Sequence, residues 1–147
     1  MPEIEFIVLA NHAEAREGLL YLMGGCWTDH WREIPPGGGP PPISHFGIGV
    51  AIILQWDETN RPYHLILRLE TDDGGELAKM DADLTLGRPP ELTPGSTQRA
   101  VLALNVDMQF PAAGGYRIMG ELGENRKSVA FRVHDRAGRP GQFPTRS

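Results

Sequence analysis

The 147-residue sequence predicts an all-β fold: an antiparallel β-sandwich of about eight strands with immunoglobulin-like connections. Three observations carry that expectation. Apolar residues alternate with period two along several segments, as strands with one buried face require. The segments are separated by short turns rich in Gly, Asp and Asn, residues that tolerate turn geometry. In "FPAAGGYRI", Tyr116 follows a turn and stands two residues before the inward Ile118, the layout of a tyrosine corner. A jelly roll or a closed barrel is the alternative arrangement of the same strands.

The elements follow in order. Residues 3–10 open the pattern, with Ile4, Phe6 and Val8 on one side. "NHAEAREGLL" holds good helix formers, and Asn11 with Glu14 three positions on has capping-box spacing, so a single turn of helix is expected. A short strand follows at 19–24. Residues 27–42 are predicted to be a long loop, because the prolines of "EIPPGGGPPP" lack donors and its glycines maximise chain entropy. "SHFGIGVAIILQW" is the clearest strand: Phe46, Ile48, Val50, Ile52, Leu54 and Trp56 face one way, and Gly47, Gly49, Ala51, Ile53 and Gln55 the other.

"YHLILRLE" sets Tyr63, Leu65, Leu67 and Leu69 against His64, Ile66, Arg68 and Glu70, and "TDDGG" reads as the hairpin turn after it. "RAVLALNVDMQF", 99–110, sets Ala100, Leu102, Leu104, Val106, Met108 and Phe110 against Val101, Ala103, Asn105, Asp107 and Gln109. Strands at 79–86, 115–122 and 128–134 complete the set, with "PAAGG" and "GEN" as tight connections between the last three strands. The expected organisation is one domain over 1–134 and a flexible basic tail over 135–147, with Arg132 at its threshold and Arg136, Arg139 and Arg146 within it.

Composition narrows the function classes. Net charge is −5, from 14 basic and 19 acidic residues scattered along the chain, which argues against a nucleic-acid footprint. No segment approaches the ~20 apolar residues of a membrane-spanning helix, and the start of the chain lacks a signal peptide's basic region. A single cysteine, Cys26, forms no internal bridge. A soluble, cytoplasmic protein is expected.

Taken together, "ANHAEAREGLLYLMGGCW", "WDETNR", "DDG", "LGRPPELTPGSTQR", "FPAAGGYRI" and "VAFRV" are similar to an uncharacterised bacterial domain-of-unknown-function family, frequent in actinobacteria. The resemblance covers residues 5–134. It implies a small β-sandwich with no assigned activity and no catalytic residues to carry over. In the sequences resembled, the position of Cys26 is usually a third glycine.

Each candidate chemistry is weighed on its residues. "GGCW" resembles the start of a papain-like nucleophile helix, but no helix of useful length follows, so Cys26 is expected to be a packed, structural thiol. His12, Glu14, His30, His45 and His64 lack H-x-H or H-x₃-H spacing; His12 and Glu14 form a metal site only if the fold brings His30 or His45 to them. His64 is read as solvated beside Arg68. "GIGVAI" lacks the third glycine of a dinucleotide fingerprint, "PPGGGPPP" lacks a phosphate loop's Lys, and no serine sits in G-x-S-x-G. The carboxylates lie in turns and on polar strand faces.

Two features point to binding. Trp27 and Trp31 flank Asp29 and His30 on the long loop, as partner anchors or as a lid over an open end of the sandwich. Gly47, Gly49 and Ala51 form a small-residue face that admits another backbone, from the 33–42 loop or from a partner. The expected function is therefore a non-enzymatic protein-interaction or assembly module. Its partner is another protein or a second copy, with no nucleic acid, membrane or cofactor. The alternative is a small-molecule or metal-binding domain using the 12–14 and 27–31 loops, with His12, Glu14 and His30 as ligands.

Overall fold

The computed structural model describes residues 2–88, 90–91 and 93–137. Within these the protein is all-β, with ten strands: β1 (Glu3–Ala10), β2 (His12–Arg16), β3 (Leu19–Met23), β4 (Asp29–Ile34), β5 (Ser44–Leu54), β6 (Pro62–Thr71), β7 (Glu76–Thr85), β8 (Gln98–Met108), β9 (Gly114–Leu122) and β10 (Asn125–Ala137). A turn of 3₁₀ helix at Trp56–Glu58 follows β5. The strands form three sheets, ordered β1-β5-β8, β4-β10-β9-β6-β7 and β2-β3. Every ladder is antiparallel except β4–β10, which is parallel.

The two larger sheets share one core. The predicted face of β5 (Phe46, Ile48, Val50, Ile52 and Leu54) is buried, and it packs in one cluster with Leu65, Leu67 and Leu69 of β6 and Ile118 of β9. Burying one such side chain is worth about 1.5–3 kcal/mol, so this alternation is the main source of stability. At one end the core becomes aromatic. Phe110 and Tyr116 lie 4.9 Å apart between ring centres, and Phe131 packs within 5.9 Å of both. The Tyr116 hydroxyl donates to the Ala112 carbonyl at 2.5 Å, the backward bond its position after the turn predicts.

Several expectations need correction. On β1 the inward residues are Ile4, Ile7 and Leu9, because the ladder to β5 shifts register between Ile4 and Phe6. An extra residue at that irregularity moves every later side chain to the other face. The expected helical turn at 11–20 is instead strand β2 and a turn at Glu17 (φ 51°) and Gly18 (φ 76°), which pairs it in a hairpin with β3, the strand expected at 19–24. Two successive left-handed residues make a primed turn that matches strand twist. Burial decides against the helix: Leu20 and Leu22 reach down to Gly49.

The 27–42 segment is not all loop, since residues 29–34 form β4. Its one fully buried side chain is Arg32, 5% exposed, paired in a very short contact with Asp135 and donating to the Phe110 carbonyl at 2.7 Å. An inward arginine hides a strand from an apolar pattern. Strand β10 runs to Ala137, with Asp135, Arg136 and Ala137 opposite Arg32, Glu33 and Ile34, so the first three residues of the expected tail are paired backbone. Arg139, Arg146 and the rest of 138–147 lie outside the described residues. Trp56 does not end the inward run of β5; it opens the 3₁₀ turn, half-buried, with the Arg88 guanidinium 3.8 Å above its ring.

Candidate functional site

The β2–β3 hairpin lies across the small-residue face of β5. A Cβ on Gly47 would come within 2.6 Å of the Ala13 nitrogen, and one on Gly49 within 3.0 Å of the Leu20 and Leu22 methyls. Asn105 on β8 fixes this contact with its side-chain amide, accepting from the Ala13 N–H at 3.0 Å and donating to its carbonyl at 2.8 Å. The β2–β3 hairpin, rather than the 33–42 loop, therefore covers Gly47 and Gly49, and Ala51 is fully buried. The face accepts another backbone, as predicted, but that backbone belongs to the same chain.

With its inner side so used, the hairpin presents its outer side to solvent. Leu19, Tyr21 and Met23 are 58%, 51% and 67% exposed, and stand opposite Arg16, Glu14 and His12 in the ladder. A cleft of about 430 Å³ runs over this face, lined by His12, Glu14, Arg16, Tyr21 and Met23. At its margin lies a chain of titratable groups. Glu14 Oε1 is 3.5 Å from His12 Nε2, His12 Nδ1 is 3.5 Å from His45 Nε2, and His45 Nδ1 is 2.7 Å from Asp107 Oδ1. Of the expected ligands, His12 and Glu14 thus come together and His30 does not join them.

His30 instead faces the body of the protein, with Nε2 2.9 Å from the buried Ser44 hydroxyl. Burial, with the nearby Arg32 cation, lowers its pKa, so the neutral ring is favoured. A serine beside a neutral histidine is the beginning of a nucleophile, and the sequence offered no such pair. Ser44 is only 5% exposed, however, and so is closed to a substrate.

Around His30 is a second cleft, of about 510 Å³, lined by Asn11, Gly24, Gly25, Trp27, Asp29, His30 and Trp31. The two tryptophans take opposite roles. Trp27 packs edge-on against Phe46 and Phe131, with its indole Nε1 buried and lacking a hydrogen-bond partner among the described residues. Trp31 is 52% exposed on β4, stacked on His134 at 4.4 Å, while His134 Nε2 lies 2.7 Å from Asp29. Trp27 is the lid and Trp31 the exposed indole.

Cys26 is exposed, not packed, and its backbone is left-handed at φ 68°. Its N–H donates to the Leu9 carbonyl at 2.6 Å, which holds the segment after β3 against β1. This conformation favours glycine, the residue usual here in the sequences resembled. His64 lies on the polar face of β6 but is engaged on both sides, 2.8 Å from Asp83 and 2.8 Å from Asp81, and these carboxylates raise its pKa. An apolar cavity of about 140 Å³ between the sheets is lined by core side chains such as Phe46, Ile48 and Met80, with Arg68 at its rim held by Glu121 and Glu76.

Sequence reasoning missed Leu19, Tyr21, Met23, Ser44, Asp107 and His134 as site residues. Leu19, Tyr21 and Met23 alternate with Leu20 and Leu22 on the strand expected at 19–24, but which side faces out depends on β2 being its partner and β5 lying beneath. Asp107 and Ser44 become visible only once β5 is registered against β8 and β4 is recognised as a strand. Among the described residues no helix is long and apolar enough to cross a membrane.

The model of a family of unknown function, DUF6941, matches residues 5–134. No curated protein matches the chain.

Proposed function

We propose, for a chain that belongs to the DUF6941 family of unknown function, that it is a non-enzymatic assembly module acting by protein–protein contact through the outer face of the β2–β3 hairpin. The observation that carries this reading is the exposed row Leu19–Tyr21–Met23 on a strand whose far edge has no strand partner among the described residues. Three large apolar side chains at alternate positions give a contact line about 13 Å long. A second copy is the partner this row describes. About a two-fold axis through Tyr21, Leu19 of each copy meets Met23 of the other, the self-complementarity of an isologous interface. So small a patch gives a weak, concentration-dependent association.

Sedimentation equilibrium over a concentration series tests the reading. Self-association that Tyr21→Glu abolishes, while Trp31→Glu leaves it intact, supports it. A chain that stays monomeric throughout, or a dimer indifferent to Tyr21→Glu, overturns it.

We further propose an immunoglobulin-like sandwich, which the Tyr116 bond supports, and a reducing, cytoplasmic setting, which the exposed free thiol supports. A second reading, a small-molecule site in the cleft around His30, draws on the unpartnered, buried Trp27 N–H, a donor that a ligand acceptor would satisfy. Saturable quenching of Trp27 fluorescence by a carboxylate or amide ligand would favour it.

A further inference from the structure

We infer that His12 and His45, with the Met23 thioether, form a binding site for a soft monovalent metal ion, copper(I) by preference. This goes beyond the contact reading and does not depend on it. The two imidazoles come from separate sheets, β2 and β5, and meet through their nitrogens. Nδ1 of His12 is 3.5 Å from Nε2 of His45, while the ring centres are 5.8 Å apart and the planes 18° from parallel.

The outer nitrogen of each ring faces a carboxylate. Asp107 lies 2.7 Å from His45 Nδ1, and Glu14 lies 3.5 Å from His12 Nε2. Asp107, an acceptor only, takes the proton of His45 Nδ1 in a hydrogen bond and so fixes that ring's tautomer, the arrangement that orients metal-binding histidines, while Glu14 lies within ion-pair range of His12. His45 Nε2 therefore presents a lone pair to His12 Nδ1. In the metal-free chain the His12 Nδ1–H answers that lone pair in a hydrogen bond; when the His12 proton leaves, both facing nitrogens offer lone pairs to a metal ion placed between them.

The spacing suits a metal. Two metal–nitrogen bonds of about 2.0 Å at an angle of about 120° span about 3.5 Å, the separation found. That angle leaves a third position. Met23 stands directly opposite His12 in the β2–β3 ladder, is 67% exposed, and lines the same cleft as His12 and Glu14.

The donor set selects the ion. Among the described residues no three His, Cys, Asp or Glu side chains are grouped to hold a metal, so the four-ligand cage of structural zinc is not provided. Two imidazoles and a thioether are instead a soft, low-coordination set, which favours copper(I). Binding is plain ligation: each facing nitrogen and the thioether sulfur donates a lone pair, no electron is transferred, and any proton held between the rings is released.

The test uses untagged full-length chain carrying Cys26→Ser, so that the exposed thiol does not compete. Copper(I), kept reduced with ascorbate, is titrated against a chromophoric copper(I) chelator, with silver(I) as a redox-inert probe. One equivalent should be withdrawn from the chelator. His12→Gln and His45→Gln should each weaken binding at least tenfold, and Met23→Leu several-fold. His64→Gln should leave binding unchanged, and circular dichroism should confirm that every variant is folded. No withdrawal of copper, retention by folded His45→Gln, or tighter binding of zinc than of copper(I) would each overturn the assignment.

Discussion

Cys26 holds a left-handed conformation that its side chain disfavours, and its thiol is exposed, so replacing it removes strain without removing packing. Cys26→Gly is therefore expected to stabilise the fold by up to about 1 kcal/mol, the cost of a non-glycine residue there less glycine's unfolded-state entropy. A urea melt of the two forms measures it, and a loss of stability would show that the thiol packs after all. The histidines should respond to pH in opposite senses. Asp83 and Asp81 raise the pKa of His64, so its stabilising contribution is complete below about 6.5 and is lost as pH rises through the folded value. Burial lowers the pKa of His30, so the unfolded chain takes up its proton first, and stability declines as pH falls below about 6.5. Urea midpoints across this range should show His64→Gln costing most in acid and His30→Gln reducing the acid loss. Parallel curves for both variants and the parent would contradict these assignments.

At the scale of elements, the β2–β3 hairpin depends on glycine beneath it. Gly47→Ala places a methyl against the backbone of Ala13, which has no rotamer with which to yield, and should cost about 2–3 kcal/mol. Asn105→Ala removes both amide bonds to Ala13 and should weaken the same contact. Limited proteolysis of either variant is expected to cut first at the Glu17–Gly18 turn; cleavage elsewhere, at unchanged stability, would mean that the hairpin is held by other contacts. Strand β2 was the least legible element in the sequence. Its residues are good helix formers with a capping-box spacing, and local propensity gave way to the burial of Leu20 and Leu22, contacts that exist only when β5 lies underneath.

For the whole molecule, two substitutions separate the core from β4, the strap laid parallel to the end of β10. Ile48→Asp puts a lone carboxylate into the cluster shared by both large sheets, and should abolish cooperative unfolding at ambient temperature. Arg32→Ala leaves Asp135 and the Phe110 carbonyl without their partner, and should cost about 3–5 kcal/mol. Hydrogen exchange is expected to show that loss as early opening of β4 and the end of β10, with the Ile48 core still protected. Equal loss of protection across both sheets would mean that the strap and the core unfold as one unit.

The sequence by itself determined the all-β class, the inward faces of β5, β6 and β8, most of the turns and the Tyr116 bond, because each depends on a two-residue period or on turn residues a few positions apart. Only the tertiary structure decided what covers Gly47 and Gly49, which tryptophan is exposed, and that Arg32 is buried. It alone brought His12 to His45 and His30 to Ser44. Those relations depend on the register between strands far apart in the chain, on a bulge that exchanges the faces of β1, and on a parallel strand whose inward residue is charged. A pattern read along one strand carries the period of that strand but not its pairing. Candidate chemistry assembled across sheets therefore becomes visible only when the sheets are in place.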